Sequence, residues 1–267
     1  MDRLDLEAYF ARIGWEGSRA PNFAVLAGVL AAHTASIPFE NFDVLLGRKI
    51  RLDLESLQQK LVTARRGGYC FEQASLLAAV LTEMGFSVKR HASRVVVMRP
   101  AREVVRGHMF LTVEVEGGRF VVDPGFGGMG AQVPVPLDGT AVPAGKPTHR
   151  LAREDDVFVL HVTRQGVEGP GWVSTMEEEN PIDFEMANYF TESHEASQFT
   201  KIVMASAVTA SGRVNVMNRD VTRISADGVV KEVLADRRAL RALVAAEFGF
   251  DLAALETMRV PAVAEWA

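Results

Sequence analysis

The chain is poor in sulfur chemistry: Cys70 is the only cysteine among 267 residues. One thiol excludes an intramolecular disulfide and the multi-cysteine zinc patterns, and it points to a reducing compartment. Long apolar runs are missing as well. The longest, Phe23 to Ala32, falls far short of the roughly 20 residues a membrane-spanning helix needs. The opening Met1-Asp2-Arg3-Leu4-Asp5 lacks the basic-then-apolar order of a secretory signal. Excess positive charge is absent too. The formal net charge is −5, so the global field does not gather nucleic acid. The expectation is a cytoplasmic protein with no membrane or nucleic-acid partner, no metal site and no permanently bound cofactor. Whether it is a monomer or a homo-oligomer is left open.

What is present is an ordinary globular balance, 48% apolar and 24% charged residues. Four helical stripes fill the first part of the chain. Leu6, Tyr9, Phe10 and Ile13 share one face, stopped by Gly14. Pro21-Asn22 introduces a second helix with Phe23, Leu26 and Leu30, and Asp53 is an N-cap for a third carrying Leu54, Leu57 and Leu61. The fourth begins at Cys70 and repeats Leu77, Val80, Leu81 and Met84 before Gly85. At Ser87 the period shifts to two. Strands are predicted at 94–98, 109–116, 119–122, 157–162, 172–176, 201–208, 213–217 and 221–225. Residues 131–150, with their prolines and glycines, predict a long surface loop. Two helical stretches, about 237–248 and 252–258, close an α+β chain with layered helices and strands.

Cys70 follows Arg65-Arg66-Gly67-Gly68-Tyr69. A lone cysteine is commonly an inert buried residue. This one sits at a predicted helix start beside two arginines, and both features favour a thiolate. A nucleophilic cysteine also needs a base and a group to orient that base. Among the six histidines, His108 is set apart because it immediately precedes a strand. The next strand ends in Asp123-Pro124-Gly125-Phe126-Gly127-Gly128. With Gly117-Gly118 as a two-residue turn, Thr112 pairs with Asp123. His108 then shares a face with Asp123 but lies about 13 Å away along the strand. Contact requires a bulge, a shifted register or strong twist.

Several segments resemble the arylamine N-acetyltransferases. Arg66-Gly67-Gly68-Tyr69-Cys70-Phe71-Glu72-Gln73 is similar to that family's active-site signature, and Ile37-Pro38-Phe39-Glu40-Asn41 to its Pro-Phe-Glu-Asn motif. His108-Met109 and Asp123-Pro124-Gly125-Phe126-Gly127 match its histidine and aspartate positions. Ser197-Gln198-Phe199 and Phe248-Gly249-Phe250 resemble later segments. Three departures stand out: Ala74 where asparagine is common, Pro124 where valine usually follows the aspartate, and Glu195-Ala196 in place of a proline.

The resemblance implies a helical bundle over 1–86 carrying the nucleophile, an antiparallel β-barrel over 87–190 carrying histidine and aspartate, and an α/β lid with a C-terminal segment over 191–267. It implies a cysteine-protease-like core in which Cys70 accepts the acyl group, His108 is its base and Asp123 orients the base. Acetyl-CoA is the implied co-substrate and small aromatic amines, hydrazines or hydrazides the acceptors. Phe126, Gly127 and Gly128 are candidates for lining the coenzyme A arm, and Phe39 and Phe199 for the acceptor pocket. Glu40 and Glu72 are expected to hold loops, and Arg66 to form an ion pair near the site. Three other readings remain open: an amide synthase acting on a carrier-bound intermediate, a thiol hydrolase, and a binding module with an inert cysteine.

Overall fold

The computed structural model describes residues 4–143, 148–164 and 166–267. The N-terminal helices form where their apolar stripes predict. In α1 (Leu6–Ile13), Asp5 accepts from the Ala8 N–H at 2.9 Å and Gly14 closes the helix in the left-handed region. Asn22 caps α2 (Phe23–Ser36) in the same way. A two-residue strand β1 (Phe39–Glu40) and a short α3 (Phe42–Leu45) follow. Asp53 caps α4 (Leu54–Leu57), which widens into π-helical turns over Gln58–Thr63. Last comes α5 (Cys70–Glu83). The apolar faces meet in one core holding Tyr9, Leu26, Leu61 and Leu77, which also takes in Met109, Leu111 and Val113 from the neighbouring sheet.

That sheet contains β2 (Ser87–Val95), β3 (His108–Val115), β4 (Gly118–Val122), β5 (Val135–Pro136), β6 (Val142–Pro143), β7 (Thr148–Glu154), β8 (Val157–Arg164) and β9 (Val167–Ser174). Its order is β5-β4-β3-β2-β9-β8-β7-β6, with antiparallel pairing throughout. Because β5 comes back alongside β7, the sheet nearly closes on itself around Phe110, Val121, Phe126, Leu160 and Trp172. After it come α6 (Pro181–Ser193) and a meander of β10 (Met204–Thr209), β11 (Gly212–Met217), β12 (Asp220–Ser225) and β13 (Gly228–Val233). β1 joins this second sheet by pairing with β10, so an N-terminal segment completes a C-terminal layer. Phe42 follows β1 into that layer's core, beside Phe248 and Phe250 and near α7 (Arg237–Leu243).

Several expectations need correction. The predicted loop over 131–150 contains β5, β6 and the start of β7, whose short strands are too brief to show a period; residues 144–147 lie outside the described residues. The strand expected at 94–98 is the end of β2, which starts at Ser87 and stops at Val95. The one expected at 172–176 begins earlier, at Val167. α6 was not anticipated, although Asn180-Pro181-Ile182-Asp183 carries its start signal: Pro181 is in the first turn and Asp183 accepts the Asn180 N–H. The edge strand β13 was also not anticipated.

The β3–β4 turn is displaced by one residue. Val115 pairs with Gly118, leaving Glu116 and Gly117 as the central residues, with φ of 52° and 77°. Both positive values belong to the type I′ turn that matches strand twist. The displacement moves the cross-strand register by two residues. Leu111 faces Val122, where a Gly117-Gly118 turn would have put Val113, and one further step along that register sets Asp123 opposite Phe110.

Candidate active site

The loop before Cys70 is clamped by backbone pairing. Phe39 bridges Gly68 in parallel; the Glu40 N–H donates to the Gly68 carbonyl at 3.2 Å and the Gly68 N–H to the Pro38 carbonyl at 3.1 Å. A Cβ on Gly67 would stand 2.3 Å from that Pro38 oxygen, so this approach requires glycine. Gln73 reaches back from α5 to donate to Gly68 O at 2.8 Å, and Glu72 accepts the Tyr69 N–H at 3.1 Å. Cys70 is thereby fixed as the first residue of α5. It is 2% exposed, with its sulfur 3.8 Å from the Gly107 carbonyl.

The expected ion pair at Arg66 is present. Arg66 donates to Glu40 at 2.6 Å and lies 3.3 Å from Asp43, while Lys60 contacts Asp43 at 2.8 Å and Glu72 at 2.7 Å. Burial opposes ionisation of Asp43, but Lys60 and Arg66 overcome it and lower its pKa. At Glu72 burial prevails over Lys60 and the pKa rises. Arg66 therefore serves the carboxylate network, and Arg65 is exposed, so neither of the flanking arginines adjoins the thiol as an unpaired charge. The network's main product is position: it ties β1, α3, the π-helical turns and the start of α5 together.

His108 and Asp123 come together because of the shifted turn. Asp123 is opposite Phe110, two residues from His108, which cuts the offset along the strand to about 7 Å. The side chains close that gap, with His108 Nε2 2.9 Å from Asp123 Oδ2. His108 is buried, which disfavours its charged form, yet Asp123 and a hydrogen bond with Cys70 outweigh this and raise its pKa to about 10. The Asp123 carboxylate thus favours the charged form of the ring beside the Cys70 thiol.

A third residue meets the same oxygen. Trp172 donates its indole N–H to Asp123 Oδ2 at 3.0 Å. The β8–β9 register slips beside it: Leu160 faces Trp172 but His161 faces Pro170, leaving Gly171 as a bulge. A bulge re-aims its neighbouring side chain, and here Trp172 is turned inward to stack on Phe110 with centroids 4.3 Å apart. Nothing in local periodicity signals this residue; its role arises from the contact between distant strands.

After Asp123 the chain turns back against the nucleophile. A Cβ on Gly125 would be 2.4 Å from Cys70 Cα. Phe126 is buried in the barrel core, its ring 5.1 Å from that of His108. Gly127 has φ of 55° and faces the ring of Phe39, and Gly128 abuts Asn215. Phe39 and Phe199 meet edge to face at 6.4 Å, and Tyr69 adds a third ring 5.5 Å from Phe199. Asn41 holds this wall by donating to the Phe199 and Ile202 carbonyls at 2.9 and 2.8 Å. On the far side, the Tyr69 hydroxyl bonds Asn188 of α6.

The arrangement joins a helix-terminal thiol, an imidazole bonded to a carboxylate and that buried carboxylate, beside an aromatic wall. Such a set is suited to covalent acyl transfer.

Comparison with known proteins places this geometry. A sequence model of the N-acetyltransferase family matches residues 22–257. The arylamine N-acetyltransferase of Mycolicibacterium smegmatis is 38% identical over 93% of each chain. The solved arylamine N-acetyltransferase of M. tuberculosis superposes with a TM-score of 0.89 at 36% identity, covering 94% of both chains. That of Mycobacterium marinum in complex with CoA gives 0.89 at 33% identity, again over 94% of both. Their cysteine-protease-like α+β fold is the one found here. With its motifs in the family order and its fold matched over nearly the whole length, the chain belongs to the arylamine N-acetyltransferase family.

Proposed function

We propose that this protein transfers an acetyl group from acetyl-CoA to the nitrogen of arylamines, arylhydrazines or hydrazides, through an acetyl-cysteine at Cys70. The observation that carries this reading is the buried His108–Asp123 pair, bonded at 2.9 Å, beside the Cys70 thiol at the start of α5. The coenzyme A bound by the M. marinum relative supports the donor, and the relatives' names support the acceptor. An amide synthase and a thiol hydrolase find no support among them.

In the first half-reaction the Cys70 sulfur attacks the thioester carbonyl, and the C–S bond to coenzyme A breaks. His108 gives its proton to the departing thiolate. In the second, the amine attacks the acetyl-cysteine, His108 takes a proton from the nitrogen, and the Cys70 thiolate leaves. An anilinic nitrogen is neutral at pH 7 and nucleophilic there. Asp123 keeps its charge toward the ring throughout, and Trp172 holds Asp123 in place. Gly127 and Gly128 offer backbone to the coenzyme A arm, with Phe126 as buried support behind them. Phe39 and Phe199 face the acceptor.

The same reading divides the chain into the helical unit 1–86, the barrel 87–190 and the lid 191–267, with β1 crossing from the first to the third. It also assigns a cytoplasmic place and a role in modifying foreign aromatic amines. Among the described residues no helix is long and apolar enough to cross a membrane.

Intact-protein mass spectrometry after brief exposure to acetyl-CoA tests the proposal. One acetyl group on Cys70, removed on adding an arylamine, is the expected result. An adduct insensitive to amine, or equal acetyl transfer by C70A, would overturn it.

A further inference from the structure

Arg213, half-buried, stands apart from the other cations near the site. Arg66 and Lys60 each contact carboxylates, whereas Arg213 has no carboxylate within ion-pair distance among the described residues. It comes from β11 and donates to two backbone carbonyls of the turn after Asp123, Gly127 O at 2.7 Å and Gly130 O at 3.1 Å. Two residues along the same strand, Asn215 abuts Gly128, where a Cβ would be 2.3 Å from its Oδ1. One face of β11 therefore grips the turn that begins beside Cys70.

The guanidinium borders a cleft. Phe39 and Pro124 form apolar walls, Thr34 and Ser206 contribute hydroxyls, and among the described lining residues Arg213 bears the one formal charge. A guanidinium has five N–H donors in a planar fork. Two are assigned to the turn, which leaves three for a ligand. Burial disfavours its charge, and no acid offsets this. A dianionic oxygen cluster is the chemistry that would complete it, because guanidinium and phosphate form charge-assisted, bidentate bonds.

We propose that Arg213 recognises a phosphate group of the acyl donor, and so separates acetyl-CoA from thioesters that carry the same pantetheine arm without phosphate. This rests on the donor assigned under Proposed function. It makes Arg213 a specificity residue, away from the bond-making atoms. It also links donor binding to the turn: the side chain that meets phosphate holds the carbonyls of Gly127 and Gly130.

The test compares acetyl-CoA with S-acetylpantetheine, which has the thioester but no phosphate, in the wild type, R213M and R213K. The wild type should prefer acetyl-CoA by kcat/KM. In R213M that preference should fall roughly tenfold, the loss expected for a charge-assisted bond, and the change should appear in KM. R213K should retain an intermediate preference, which separates lost charge from a collapsed turn; thermal melting of each variant checks the fold. A preference unchanged in both variants, or a fall in activity equal for both thioesters, overturns the role of Arg213 alone. A wild type inert toward both thioesters overturns the donor reading, and this inference with it.

Discussion

Trp172 and His108 bond to one oxygen of Asp123, at 3.0 and 2.9 Å. Two donors on Oδ2 fix the carboxylate's rotation, so the indole orients the acid that orients the base. Trp172→Phe keeps an aromatic ring to stack on Phe110 but removes the N–H. We expect acetylation of Cys70 to slow by about ten- to a hundredfold, the range for losing a hydrogen bond to a charged group. Stopped-flow acetylation by acetyl-CoA measures it. A W172F rate within twofold of wild type would show that the carboxylate is held without the indole.

His108 supplies a pH signature. Its pKa rises to about 10 in the folded protein, against about 6.5 in an unfolded chain. A raised histidine pKa adds stability that is fully present below the unfolded value and is lost as pH rises through the folded one. Asp123→Asn should therefore be most destabilising at about pH 6, with the gap to wild type narrowing as pH climbs toward about 10. Urea unfolding across that range checks the sign. A gap that widens with pH would contradict the proposed charge on the ring.

Much of this site was legible in the sequence. Start signals at Asn22 and Asp53 marked helices because capping is local chemistry, and strand parity put His108 and Asp123 on one face. The distance between them was wrong because Gly117-Gly118 looked the better turn, whereas the chain places Glu116 in a left-handed conformation. Trp172 was invisible, since it reaches Asp123 through a bulge on a strand 49 residues away. Arg213 was hidden for the same reason: its partners are carbonyls 86 and 83 residues away, and carbonyls leave no trace in composition.

Gly125 offers a steric test of the link between the aspartate segment and the nucleophile. An alanine there would bring Cβ to 2.4 Å from Cys70 Cα, and backbone cannot rotate aside as a side chain can. The two segments must separate, at a cost of about 1–3 kcal/mol in stability. A misplacement of this kind near reacting atoms lowers turnover by about a hundredfold. Gly169→Ala is the control, because nothing lies within 4 Å of its added Cβ. Melting curves and kcat should show a loss in G125A and little in G169A; equal behaviour would mean that the close approach does not position Cys70.

The β3–β4 turn sets the register on which the His108–Asp123 contact depends. Glu116 is exposed and holds φ of 52°, a region an ordinary side chain adopts at some cost, and Gly117 follows at 77°. Asn-Gly is the preferred pair for this turn, because asparagine tolerates left-handed geometry. The Glu116 carboxylate accepts from the Phe23 N–H at 3.4 Å, a long and exposed contact, so little is lost with the side chain. Glu116→Asn should raise stability by about 0.5–1 kcal/mol in chemical unfolding. Acetyl transfer should be unchanged, since the register is the same. If the turn were centred on Gly117-Gly118, Glu116 would lie in the strand, where asparagine is disfavoured, and the substitution would lower stability instead.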